Sequence, residues 1–135
     1  MTEICRTLPA TVEAVEALSV EFRALCGCLA SESDRFAAEL LLREVLMNAV
    51  VHGSRGDATK QVRCELCISP DELRIAVEDE GDGFDWQAAG QGGPQEPAPS
   101  GRGLEILRKY ATRIWFNDKG NETRIVKRFN EAEKR

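Results

Sequence analysis

Leu40-Leu41-Leu42-Arg43-Glu44-Val45-Leu46-Met47-Asn48-Ala49-Val50-Val51-His52-Gly53 carries the clearest pattern in the chain. With Phe36 and Ala37 before it, Leu40, Leu41, Val45, Ala49 and Val50 recur at helical spacing, behind an N-cap signal in Ser31-Glu32-Ser33-Asp34. The helix is expected to stop near His52-Gly53, where a glycine suits the left-handed C-terminal position. Glu44, Asn48 and His52 stand at i, i+4 and i+8, within about 80° of one another around a helix. A carboxamide can offer a neutral oxygen to a hard cation such as Mg²⁺. A carboxylate one turn earlier can accept a proton from a hydroxyl. Taken alone, the stripe reads more simply as a solvated helix face, and a lone histidine near a helix end as a cap or surface residue.

Working outward, Pro9-Ala10-Thr11 opens an earlier helix with Thr11 as its N-cap, on which Val15, Leu18, Phe22, Leu25 and Leu29 form the apolar stripe. Residues 3–8 before it read as a short strand. Downstream, residues 61–69 and 73–79 alternate as two strands of an antiparallel hairpin around Ser69-Pro70-Asp71-Glu72. The second strand puts Asp79 on the same face as Leu73, Ile75 and Val77. A carboxylate there needs a dedicated donor, since an unpaired buried charge is costly.

Residues 81–101 hold more than half of the eleven glycines and three of the five prolines, so they read as a long loop with no core of its own. Helical spacing resumes from Gly103 to Tyr110. Two more strands, 114–116 and 123–129, flank an Asp118-Lys119-Gly120-Asn121 turn, and a charged tail covers 130–135. Helices grouped beside such strands predict an α+β, two-layer sandwich: a mixed, mainly antiparallel sheet with helices on one face.

Composition bounds the rest. A chain of 135 residues with 42% hydrophobic side chains suits one domain with a real core, which excludes a disordered or collagen-like chain. Eighteen basic against twenty-three acidic residues leave a net charge of −5, the wrong sign for general attraction to nucleic acid or anionic lipid. Charges interrupt every apolar run, so neither a membrane span nor a signal peptide is expected and a cytoplasmic location is. Of five cysteines, Cys64 and Cys67 are spaced as for zinc, yet on a strand an offset of three sends them to opposite faces. With Cys5, Cys26 and Cys28 they read as reduced, incidental thiols.

Two further segments bear on chemistry. Acidic residues at 78, 80 and 82 before Gly83 suggest a calcium loop, but Ala89 stands where the bidentate glutamate belongs. The segment reads better as a strand ending in Asp79, followed by glycines that let a ligand approach the backbone, with an amine such as that of adenine as the partner of Asp79. Gly101-Arg102-Gly103-Leu104 feeds a helix whose free N–H groups suit phosphate.

In this order and separation, Glu44-x3-Asn48-x3-His52-Gly53, Asp79-x-Gly81-x-Gly83-Phe84 and Gly101-Arg102-Gly103-Leu104 resemble the GHKL (Bergerat) ATP-binding superfamily. Within it the chain is most similar to the anti-sigma factor serine kinases of bacterial partner-switching pathways, over residues 5–129. The resemblance implies ATP and Mg²⁺ as cofactors and one ATP-binding domain over 1–135, with residues 85–100 as its lid. It implies that Glu44 is the general base, Asn48 the Mg²⁺ ligand and Asp79 the adenine-amine acceptor, with Gly81 and Gly83 giving the base room. Gly101, Arg102, Gly103 and Leu104 would close on the phosphates. Thr123 would stand beside the adenine, although Asn121-Glu122-Thr123 departs from the family's glycine-rich approach there. A structural role is expected for His52. The implied partners are a STAS-domain anti-anti-sigma protein, a sigma factor or other regulatory target, and a second copy in a homodimer, with no direct nucleic acid and no membrane. Two alternatives stay open: a nucleotide-dependent binding module that sequesters a partner without phosphotransfer, and a detached histidine-kinase catalytic domain.

Overall fold

Alternation along residues 61–68 explains the sheet. Val62, Cys64, Leu66 and Ile68 are buried while Gln61, Arg63 and Glu65 are exposed, as a period of two requires of a strand with one covered face. The computed structural model describes residues 1–29, 31–81 and 103–129. Its elements, in chain order, are β1 (Thr2–Pro9), α1 (Val12–Leu25), α2 (Glu32–Asn48), β2 (Gln61–Ile68), β3 (Glu72–Asp79), α3 (Gly103–Tyr110), β4 (Arg113–Phe116) and β5 (Glu122–Arg128). A 3₁₀ turn, Cys26–Cys28, follows α1, and a π-helical turn, Ala49–Gly53, follows α2. The expected lid at 85–100 and tail at 130–135 lie outside the described residues.

The sheet order is β1-β2-β3-β5-β4, and every pairing among the described residues is antiparallel. The parallel component that a mixed sheet would add is not among them. Ser69 closes the β2–β3 hairpin, its Oγ accepting from the N–H groups of Asp71 and Glu72 at 3.3 Å.

The helices cover one face. Both caps form as the sequence requires: Thr11 Oγ1 accepts from Ala14 N at 3.1 Å and Ser31 Oγ from Asp34 N at 3.3 Å. Val15, Leu18 and Phe22 of α1 and Leu41, Leu42, Val45 and Leu46 of α2 meet Val62, Leu66, Leu73, Ile75 and Ile125 in one core. α2 lies between α1 and α3 and over β3, which is why its apolar surface is broader than one stripe. Phe22 is fully buried, so Phe22→Ala is expected to cost about 3–5 kcal/mol in urea denaturation.

The opposite face of the sheet carries in-strand ion pairs: Arg63–Glu65 at 3.2 Å, Arg74–Glu72 at 2.8 Å and Arg124–Glu122 at 2.8 Å. Exposed pairs of this kind contribute about 0–1 kcal/mol each. All five thiols are free. Cys64 is buried on the helix side, and Cys67 points the other way. Burial pushes the Cys26 and Cys64 thiols up to about 12, far from the reactive thiolate range. Among the described residues no cluster of metal-ligating side chains gathers, and no helix is long and apolar enough to cross a membrane.

Candidate active site

The helical stretch begun by α2 ends at Gly53, where the sequence predicts, but not in the way it predicts. The α-helix stops at Asn48 and continues as a π turn in which Ser54 N donates to Ala49 O at 2.8 Å. Gly53 is not in the left-handed region; Arg55 (φ 52°) and Gly56 (φ 73°) are. The glycine at 53 has a different cause. A Cβ there would fall on the Asp79 carboxyl group, and a Cβ on Gly81 would fall on the Gly53 carbonyl. The two glycines are therefore required by close approach, to each other and to the Asp79 carboxyl group. π turns concentrate at functional sites, where the extra residue re-aims the side chains beyond it.

Asp79 is the last residue of β3. Its Oδ1 accepts from Gly81 N at 2.7 Å, its N–H donates to Asn121 O at 2.9 Å, and its carbonyl accepts from Asn121 Nδ2 at 3.0 Å. Among the described residues the Gly81 N–H is the carboxylate's single donor. Burial raises the Asp79 pKa above the ordinary carboxylate value; the Gly81 N–H opposes this, Glu78 adds to it, and Lys119 and Lys60 oppose it at longer range.

An acid whose pKa is higher folded than unfolded holds its proton more tightly when folded. Its contribution to stability is full below the ordinary carboxylate value and is lost as pH rises through the raised one. Asp79→Asn is thus expected to flatten that loss, leaving the nucleotide-free variant at least as stable as the parent near neutrality. Thermal unfolding from about pH 4 to 8 checks this, and identical pH profiles for the two proteins would refute it.

Further back along α2, Gly103 opens α3 directly over the helix. A Cβ on Gly103 would lie 3.0 Å from Asn48 Oδ1 and 3.4 Å from Glu44 Oε2, so both side chains face the helix N-terminus, where free N–H groups favour anions. Asn48 Oδ1 and His52 Nε2 are buried without a hydrogen-bond partner among the described residues. Such a group costs about 1–3 kcal/mol unless something satisfies it. The unsatisfied Asn48 oxygen beside a carboxylate fits a hard cation, and the desolvated Asp79 fits an amine donor.

Three distant segments thus converge. Glu44 and Asn48 meet Gly103, and Asp79 meets Gly81 together with Gly53. Thr123 is opposite Val77 in the β3–β5 register, on the Asp79 face of the sheet. Leu104 is half-buried in the first turn of α3, and His52 sits in the π turn. Gly83, Gly101 and Arg102 lie outside the described residues. Sequence reasoning missed the reason for Gly53 and the link from Asn121 to Asp79. The one hint was the departure at Asn121-Glu122-Thr123 from a glycine-rich approach.

A family model described as a histidine kinase-like ATPase domain matches residues 8–127. Among solved structures, the chain is similar to the histidine kinase domain of the blue-light activated histidine kinase from Erythrobacter litoralis EL346. The TM-score is 0.57 at 17% identity, over 90% of this chain and 62% of that one. At that identity the likeness bears on the fold, a five-stranded sheet layered with helices. No curated protein matches the chain significantly.

Proposed function

Because the chain belongs to the histidine kinase-like ATPase domain family, we propose that it is an ATP-dependent protein-serine kinase acting on a STAS-type anti-anti-sigma protein. In its other state it sequesters a sigma factor or similar regulatory target, as a homodimer in the cytoplasm. One observation carries the reading: a carboxylate, an unsatisfied carboxamide and a helix N-terminus meet on α2, and the turn that follows α2 packs against a desolvated carboxylate at the end of β3.

In this reading Asp79 accepts the exocyclic amine of adenine, with Thr123 beside it and Gly81 and Gly83 leaving room for the base. Gly101, Arg102, Gly103 and Leu104 enclose the phosphates, and the α3 N–H groups point at them. Asn48 holds Mg²⁺, which when bound neutralises charge on the phosphates. Glu44 takes the proton of the substrate serine as its oxygen bonds to the γ-phosphorus and the bond to ADP breaks.

The test is incubation with labelled ATP, Mg²⁺ and a purified STAS-domain protein from the same organism. Phosphoserine on that protein is expected, and Asn48→Ala should lose the Mg²⁺-dependent part of the ATP affinity. Nucleotide-dependent partner binding without phosphoserine would replace the kinase by a sequestering module. Label on a histidine would replace it by a histidine-kinase catalytic domain.

A further inference from the structure

The β4–β5 turn does more than close on itself. Asn117 Oδ1 accepts three backbone N–H groups, from Gly120 at 2.8 Å, Asn121 at 3.0 Å and Glu122 at 3.1 Å. Asn117 N donates to Glu122 O at 3.1 Å, and Gly120 carries the left-handed turn at φ 83°. The turn is complete without the Asn121 side chain. That side chain is instead stretched between two neighbours: its Oδ1 accepts from Asn117 Nδ2 at 2.7 Å, and its Nδ2 donates to the carbonyl of Asp79, 42 residues away in sequence.

The strand register gives this side chain its role. The last register pair between β3 and β5 is Glu78 opposite Glu122. One step further only half a rung forms between backbone groups: Asp79 N donates to Asn121 O, but Asn121 N is taken by Asn117 Oδ1 and leaves the Asp79 carbonyl without a backbone donor. The Asn121 side-chain amide supplies the missing donor, and the Asn121 carbonyl accepts from Asp79 N at 2.9 Å. One residue therefore holds both backbone groups of Asp79, at the point where the chain leaves the strand towards Gly81. A carboxylate on an untethered strand end samples many directions. One tethered on both backbone groups, with Oδ1 on Gly81 N, has a defined direction for its remaining acceptor sites.

We propose that Asn121, anchored by Asn117, is a positioning residue for base recognition: by fixing the backbone of Asp79 it makes nucleotide affinity depend on an exocyclic amine at the purine 6-position. The inference rests on the reading of Asp79 as the adenine acceptor. It goes further in assigning part of that selectivity to the β4–β5 turn.

The probes are ATP, the triphosphate of purine riboside, which lacks the 6-amino group, and inorganic tripolyphosphate, each titrated by calorimetry with Mg²⁺. The parent should prefer ATP over the deaminated analogue by about tenfold or more, the scale of one hydrogen bond to a charged group. Asn121→Ala should shrink that preference to about threefold or less and leave tripolyphosphate affinity within about twofold. A folded Asn121→Ala protein that keeps the parental preference overturns the proposal. Should the alanine variant fail to fold, Asn121→Ser, too short to reach the Asp79 carbonyl, decides by the same ratio. Asp79→Asn separates the two levels. If the parent discriminates and Asp79→Asn does not, a parental ratio in Asn121→Ala removes the positioning role alone. If the parent binds ATP and the analogue equally, the base reading falls, and the positioning role with it.

Discussion

Glu44→Gln is expected to lower phosphoryl transfer to the partner serine by about 10²–10⁴-fold, the range for losing a general base, while ATP affinity stays within about twofold. Glutamine keeps the size and polarity of the side chain and removes its capacity to take a proton. The geometry makes the split between binding and turnover sharp. Glu44 lies with Asn48 under Gly103, whereas Asp79, the proposed acceptor of the base, packs against Gly53 and Gly81 instead. Single-turnover transfer with labelled ATP, set beside equilibrium binding, is the measurement. Transfer at the parental rate would remove Glu44 from the chemistry. Loss of ATP binding in equal measure would make it a binding residue instead.

Gly53→Ala is expected to have the other large effect, through space rather than chemistry. The new methyl group would fall on the Asp79 carboxyl group, so either Asp79 or the π turn must move. A displacement of that order costs about 10²-fold in a positioned site, and overpacking adds about 1–3 kcal/mol of instability. ATP affinity should therefore fall by about 10²-fold, about 2.8 kcal/mol, in a protein that still folds. Gly27 provides the control: it has open space around its Cβ position and an ordinary φ. Gly27→Ala should leave binding unchanged and alter stability by less than about 1 kcal/mol. Equal ATP affinities in the two variants would show that the contact of Gly53 with Asp79 is dispensable.

Legibility along the chain depends on how far each signal reaches. Thr11 and Ser31 announce their helices because a cap satisfies N–H groups three residues away. The alternation of Val62 to Ile68 and of Leu73 to Val77 is likewise local, and it exposed Asp79 as a polar residue on an apolar face. The positions of Glu44 and Asn48 follow from a helical period. Gly53 could not be read this way. Its reason is a carboxylate on another strand, and from local sequence a glycine after a histidine at a helix end has a sufficient local explanation in the left-handed turn. Asn121 is similar: in a turn its composition is ordinary, and only the pairing of β5 beside β3 brings its amide to Asp79. Strand order is a property of pairs, and periodicity within one strand carries no record of its neighbour.

The π turn at Ala49–Gly53 sets the phase between the two parts of the site. Upstream of it, Glu44 and Asn48 belong to the regular α-helix; downstream, Gly53 is delivered against Asp79. The turn absorbs one residue more than an α turn would, so rewinding it as regular α-helix with every residue kept would swing Gly53 around the helix axis and away from Asp79, with Glu44 and Asn48 left in place. Tightening or loosening of this one turn therefore moves the Gly53 contact independently of the two polar side chains upstream of it.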